Sequence, residues 1–477
     1  ALGCPMLTYA IDRDGTLPMY RKLYELIKTD ILRGNLAAGQ KLPSRRALAG
    51  NLGLGVSTVE NAYSLLEDEG YICSQPQRGF FVADITAAVS HTAGARTSVP
   101  PKHPSSAAQN LYADFSANRT SADDFPFSVW AKIVRTVLSE NRDELMTPSP
   151  AAGTLELRTA IAEHLCAFRG MNIDPLCIVV GAGTEYLYGL LIQLLGFEKK
   201  YALENPGYSK IQKIYSSYGV CCKTLDMDES GIKIDALKET GTEVVHVSPS
   251  HHFPLGLVMP VSRRYELLSW SSQQNGRYIV EDDYDGEFRF TGKPLPTLKS
   301  IDALGNVIYM NTFTKTLAST IRISYMVLPP QLMEEFNRRL GFYSCTVPTF
   351  EQYALARFMK GGFFEKHINR MRKAYRTKRD LLIEGLEKNS LHGGIKILEE
   401  NAGLHFLARF DLICTDQEFR QKLLEHGIKM EPLSSYYENP PAVAEHYFVI
   451  SYSSVPCERI AGCAELIAKT FTQCRRT

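Results

Sequence analysis

The chain lacks any apolar run near the roughly 18 residues that a membrane span requires, so nothing in it suggests a helical membrane protein. Its 11 cysteines show no C-x-x-C spacing, and Cys221 and Cys222 are adjacent, so neither a disulfide framework nor a zinc site is expected and the thiols read as reduced and structural. Charge of either sign is not in excess: the formal net charge is +1, which gives no help to polyanion binding by the chain as a whole. No internal repeat is present. No signal peptide is visible among the first residues, and a cytoplasmic protein is expected.

What is present is length and an uneven distribution of features. At 477 residues the chain exceeds a single simple core and fits two or three domains. From Arg13 to Arg46 there are eight Lys or Arg against three acids, so a basic face can exist inside a neutral chain. The stretch from Asp84 to Asn110 is rich in Ala, Ser, Thr and Pro, has no aromatic residue and shows no sustained apolar period. It reads as a linker, residues 84–111, between domains at 7–83 and 112–477. The 27 residues from Asp84 to Asn110, fully extended, would reach roughly 90 Å.

In the first domain, Tyr20, Leu23, Tyr24, Ile27 and Ile31 recur at helical spacing between Pro18 and Gly34. "PSRRALAGNL" predicts a second helix capped by Ser44. After the turn "GLG", "VSTVENAYSLLEDEG" predicts a third, with Val59, Ala62, Tyr63 and Leu66 buried. Two helices joined by a short turn, followed by two short strands around "QPQRG", have the outline of a winged helix-turn-helix. The pattern from "LYELIKTDILRGNLAAGQKLPSRRALAGNLG" through "STVENAYSLLEDEGYI" to "RGFFV" resembles the GntR-type winged helix. The resemblance implies that the third helix enters the major groove of double-stranded DNA and the wing follows the backbone or the minor groove. Its implied contacts are Arg45, Arg46, Ser57, Thr58 and Asn61, with Arg78 and Gly79 on the wing. Gly55 and Val56 stand where that family usually has Ser or Thr followed by Arg.

Beyond Tyr112 short apolar runs alternate with helices: "CIVVG", "KYALEN", "EVVHVS", "RYIVEDD", "NVIYMN", "RISYMVLP". Such runs are expected in a mainly parallel sheet covered on both faces, an α/β fold. Ligands then sit beyond the carboxyl ends of the strands, and the residues there are distinctive. Ala182, Gly183 and Thr184 open a helix and form a candidate phosphate cradle. "PGY" presents Tyr208 to a planar ligand. Asp282 and Tyr284 leave one strand end together. Thr312, Thr314 and Lys315 leave the next, and Arg322 follows seven residues later. Each has a bland reading alone. A cofactor that needs a phosphate cradle, an aromatic face, a carboxylate for a pyridinium nitrogen and a lysine for an imine is pyridoxal 5'-phosphate. Lys315 is the candidate catalytic residue, in Schiff-base linkage with it.

The same residues carry a second resemblance. "ENPGY", "DDYD", "TFTKTLASTIRISYMVLP" and "NAGLHF" are similar to a fold-type I aminotransferase domain of the kind fused behind a GntR-type winged helix, the MocR/GabR family of pyridoxal-phosphate-dependent transcriptional regulators. The resemblance implies a smaller C-terminal α+β subdomain and a homodimer exchanging domains head-to-tail. It also implies that a small amine or amino acid is sensed through external aldimine formation. In "SPSHHFPLG" it makes His252 a candidate cofactor contact, beside the reading of a satisfied structural histidine; an adjacent pair does not suggest a metal site. The alternative is an active aminotransferase with an accessory DNA-binding domain. Against it, "HYFVISYSSVP" has no arginine for a substrate carboxylate, which leaves Lys210 and Arg409 as weak effector-binding candidates.

Overall fold

The computed structural model describes residues 7–9, 11, 17–84, 111–116, 120, 124–290, 295–389 and 394–475. The chain divides into two compact units, Ala1–Ala107 and Ala108–Thr477. The linker expected at 84–111 falls almost wholly outside the described residues.

In the first unit, α1 (Met19–Leu32) buries Leu23, Tyr24, Ile27 and Ile31, the stripe its spacing predicts. α2 (Arg45–Leu52) starts at Ser44, whose side chain accepts from the Ala47 N–H, and stops at Gly53 in the left-handed region, where a residue without Cβ carries no steric cost. α3 (Val56–Asp68) contributes Val59, Ala62, Tyr63 and Leu66 to the same core. Each fully buried aliphatic side chain here stabilises the unit by about 1.5–3 kcal/mol. β1 (Ile72–Gln75) and β2 (Gly79–Val82) pair antiparallel to make the wing. Their turn carries Gln77 and Gly79 at φ 59° and 103°.

The second unit opens with β3 (Ala113–Asp114). Its main sheet comprises β4 (Ile178–Gly181), β5 (Lys200–Asn205), β6 (Cys221–Asp228), β7 (Gly231–Ile232), β8 (Val244–Val247), β9 (Tyr278–Asp282), β10 (Val307–Thr312) and β11 (Ser324–Val327), in the order β4-β11-β10-β9-β8-β5-β6-β7. The neighbours from β10 through β6 run parallel. β11 runs antiparallel to both β10 and β4. β4, β8, β10 and β11 are buried along their whole length, as strands covered on both faces must be. β6 was not among the expected strands; its polar positions alternate with partly buried ones, so it has no apolar run to reveal it.

A smaller antiparallel sheet of β12 (Ile395–Leu398), β13 (His405–Phe410), β15 (Glu431–Pro432) and β16 (Tyr447–Ser451) has the order β12-β13-β16-β15. Between β13 and β15, β14 (Ile428–Lys429) pairs with β3. The helix Phe363–Asn389 packs against the helix Cys457–Thr472 in this C-terminal part. No described helix is long and apolar enough to cross a membrane.

Candidate functional site

Parallel strands place their carboxyl ends on one edge of a sheet, and a cavity of about 570 Å³ lies at that edge. Thr184, Tyr208, His252, Asp282, Tyr284, Thr312, Thr314, Lys315 and Arg322 all line it. These residues lie far apart in sequence and the sheet brings them together.

Lys315 sits on a single helical turn, Phe313–Thr316, directly after β10. The turn is capped by Thr312, whose Oγ1 accepts from the Thr314 N–H at 3.1 Å and from Ser324 Oγ at 2.8 Å. Thr312 therefore shapes the turn that delivers the lysine. Burial lowers the Lys315 amine to about 8, although Asp285 and Asp282 pull the other way. At neutral pH a usable fraction of it is then the free nucleophile.

Asp282 ends β9 with its carboxylate 6% exposed. Its Oδ2 accepts from Tyr188 Oη at 2.7 Å and lies 3.4 Å from His246 Nε2. Its Oδ1 has no hydrogen-bond partner among the described residues, a buried acceptor waiting for a donor. A pyridinium N–H is such a donor. Tyr284 Oη lies 3.3 Å from His251 Nδ1, and burial raises its phenol well above the usual range, so it stays protonated and able to donate.

At the other end, Arg322 takes a left-handed conformation, φ 51°. Its guanidinium lies against Gly183, where an added Cβ would stand 2.5 Å from Nη2. Thr184 opens the helix Thr184–Leu195, so a helix N-terminus and a fixed cation converge where a phosphate would bind. Two expected cradle amides are already used: Ala182 N–H donates to Thr346 Oγ1 at 2.9 Å, and Gly183 N–H donates to the Gly181 carbonyl at 2.8 Å. Thr184 and Arg322 line the cavity there, Arg322 also lying 3.7 Å from Glu185, and Gly183 leaves room for its guanidinium. Tyr208, half exposed, stands edge-on to Phe253 with ring centroids 5.9 Å apart.

His252 lies 3.5 Å from Glu204; burial and the neighbouring His251 push it down to about 3, so it is neutral. Lys210 lines the cavity but is ion-paired with Glu185. Arg409 is a correction: it is the one exposed residue of β13, lies over the Tyr447 ring at 5.9 Å, and does not line the cavity. Three further residues were missed from sequence: Tyr188, His246 and Glu204, the last pushed up to about 8 by burial. His246 had a readable signal, being the only polar residue inside the buried strand β8.

On the first unit, Arg46, Ser57, Asn61 and Arg78 are exposed and Thr58 is half-buried. Arg45 is engaged within the unit, paired with Glu60 and lying over the Phe80 ring at 5.0 Å. Arg78 stacks at 5.7 Å on Phe81, and Gly79 adopts φ 103° beside Lys41.

Residues 112–455 match the family model described as aminotransferase class I and II, and residues 19–82 match that of bacterial regulatory proteins, gntR family. The HTH-type transcriptional regulator YdeL of Bacillus subtilis is 38% identical over 436 residues, 91% of this chain and 93% of its own length. The probable rhizopine catabolism regulatory protein MocR of Rhizobium meliloti is 32% identical over 447 residues, 90% of each chain. Among solved structures, an archaeal alanine:glyoxylate aminotransferase superposes with a TM-score of 0.67 at 22% identity, over 76% of this chain and 90% of that one. That likeness shows the fold.

Proposed function

This chain belongs to the MocR-type family of HTH-type transcriptional regulators, in which a gntR-family DNA-binding domain precedes an aminotransferase class I and II domain that uses pyridoxal 5'-phosphate; from that premise we propose that it senses a small amine or amino acid at Lys315 and reports it to DNA. The observation that carries the reading is the buried Lys315 amine, held near 8, at the same strand edge as the unpartnered Asp282 Oδ1 and joined to a winged helix.

Bound pyridoxal phosphate supplies an aldehyde carbon that condenses reversibly with amines. Burial keeps part of the Lys315 population unprotonated, so that its lone pair is available. The Asp282 carboxylate, oriented by Tyr188 and His246, would hold a proton at the ring nitrogen, and Tyr284 would donate to the ring oxygen. Arg322 and Thr184 would hold the phosphate, and Tyr208 and His252, which line the same cavity, would contact the ring.

With the cofactor bound, an effector amine would compete with the Lys315 amine for the same aldehyde carbon, and Lys315, no longer bonded to it, would be free to take up a proton inside the cavity. To carry the DNA-binding equilibrium from mostly one state to mostly the other, the effector must favour one conformation by roughly 5 kcal/mol. The regulator acts as a cytoplasmic homodimer with head-to-tail domain exchange across a linker at 84–111, so that two winged helices read paired half-sites. Lys210 is the candidate for an effector's anionic group.

The second reading, an aminotransferase with an accessory DNA-binding domain, is favoured by the assembled set of Lys315, Asp282, Tyr284 and Arg322. Incubating the cofactor-loaded protein with a panel of amines and a keto-acid acceptor separates the two. A stoichiometric absorbance change that stops, together with an altered footprint on promoter DNA, supports the sensor. Sustained keto-acid production with an unchanged footprint overturns it in favour of the enzyme.

A further inference from the structure

His251 and His252 are neighbours in sequence and part company in the fold. His252 faces the cavity and Glu204. His251 turns to Asp285 and His405, which come from the loop after β9 and from the first residue of β13. The three side chains are 2%, 1% and 0% exposed. One donor atom of each lies within 4.8 Å of the other two. His251 Nδ1 is 2.8 Å from Asp285 Oδ2, and the imidazole centroids are 4.5 Å apart.

The partner of the His405 ring fixes where its proton is. His405 Nε2 lies 3.2 Å from the Pro254 carbonyl oxygen; a carbonyl only accepts, so Nε2 bears the hydrogen and Nδ1 a lone pair. His251 Nδ1 faces Asp285 Oδ2 at 2.8 Å and Tyr284 Oη at 3.3 Å. Neither His405 Nδ1 nor His251 Nε2 has a hydrogen-bond partner among the described residues. A buried acceptor such as His405 Nδ1 without a donor is costly in a folded interior.

We propose that His251, Asp285 and His405 form a binding site for a divalent transition ion of the zinc type. Metal-binding imidazoles are oriented through their second nitrogen by a carboxylate or a backbone carbonyl, and here the Pro254 carbonyl holds His405 Nε2 in that way, which leaves His405 Nδ1, His251 Nδ1 and Asp285 Oδ2 to meet an ion. Two nitrogens and one carboxylate suit zinc, cobalt or nickel better than the all-oxygen shells of calcium or magnesium. Two cations, Arg169 and Arg289, line the space beside it, and Arg169 is ion-paired with Asp283. The site ties the loops at the carboxyl edge of the main sheet to the smaller sheet. Because Tyr284 Oη lies 3.3 Å from His251 Nδ1, an ion here also fixes the phenol that lines the cavity.

The test uses tag-free full-length protein, loaded with cofactor and stripped of metals on a chelating resin. Titration with Co²⁺ is expected to saturate at one ion per chain with visible d–d absorption, which Zn²⁺ then displaces. Asp285→Asn and His405→Gln each remove a ligand and are each expected to weaken Co²⁺ binding by more than the roughly 10–100-fold that loss of an outer partner costs. If His405→Gln fails to fold, the wild-type stoichiometry and Asp285→Asn decide. No saturable binding by the wild type, or binding equally tight in the folded variants, overturns the proposal.

Discussion

A methyl group on Gly183 would stand 2.5 Å from Arg322 Nη2. The glycine also holds φ 93°, a conformation that L side chains adopt only with strain. Gly183→Ala therefore both strains the turn and pushes the guanidinium off the helix end that it faces. At about 1–3 kcal/mol for the backbone alone, cofactor affinity is expected to fall by roughly 5- to 150-fold. Absorbance titration of the apo-protein with pyridoxal phosphate reads the change; an unchanged dissociation constant would mean that Arg322 does not bind the phosphate.

The lowered amine of Lys315 sets a pH dependence. Cofactor uptake requires the unprotonated lysine, so its rate should rise about tenfold per pH unit below 8 and level off above it. A rise that continues past pH 10 would show the amine to be unshifted. Stability has a sign as well. The folded amine releases its proton near 8 and the unfolded one near 10.5, so between those values the unfolded chain holds more protons and the apo-protein gains stability as pH rises. Below that window the cost of burying the ammonium is fully present. Lys315→Ala should abolish both trends, the yellow absorbance and the borohydride-trapped adduct, while the isolated winged-helix contacts still bind DNA in a gel-shift titration.

Asp282 has one oxygen engaged and one without a partner, and the two can be tested separately. Asp282→Asn removes the negative charge that would keep a ring nitrogen protonated, and exchange of Lys315 for an amine is expected to slow by about 10²–10³-fold with the protein still folded. Tyr188→Phe removes only the orienting hydrogen bond, so a smaller effect of about tenfold is expected, on the order of 1–1.5 kcal/mol. Stopped-flow absorbance with one primary amine compares them. Equal rates in Asp282→Asn and wild type would remove Asp282 from the cofactor's nitrogen.

How much of this was readable in the sequence follows from the range of the forces involved. The three helices and the wing of the first unit are set by local periodicity and by caps such as Ser44 and Gly53, all within a few residues. The strand ends were equally legible, because a buried parallel strand is an apolar run and the polar residues after it are conspicuous. Arg409 was not legible in this way: both faces of β13 are buried from His405 to Ala408, and Arg409 alone lies open, which no local pattern shows. Tyr188 was invisible for another reason. It lies in the buried face of an apolar helix and reads as core, and its bond to Asp282 spans 94 residues. The separation of His251 from His252 depends on where β13 packs, which no local pattern encodes.

The two adjacent arginines of α2 separate a DNA contact from a structural one. Arg46 is exposed, whereas Arg45 is paired with Glu60 and lies over Phe80. A side chain that meets only phosphate contributes equally on any duplex. Arg46→Ala should therefore weaken specific and random DNA binding by the same factor, and reduce the slope of log affinity against log salt by about 0.9. Arg45→Ala should instead lower the melting temperature of the winged helix, by the equivalent of roughly 0.5–1 kcal/mol for an exposed pair and a cation-ring contact. Fluorescence anisotropy at several salt concentrations, with specific and scrambled duplexes, reads the first effect, and thermal unfolding reads the second. If Arg46→Ala lost affinity for the specific duplex alone, the residue would be reading a base, and the approach of α2 to the groove would have to be redrawn.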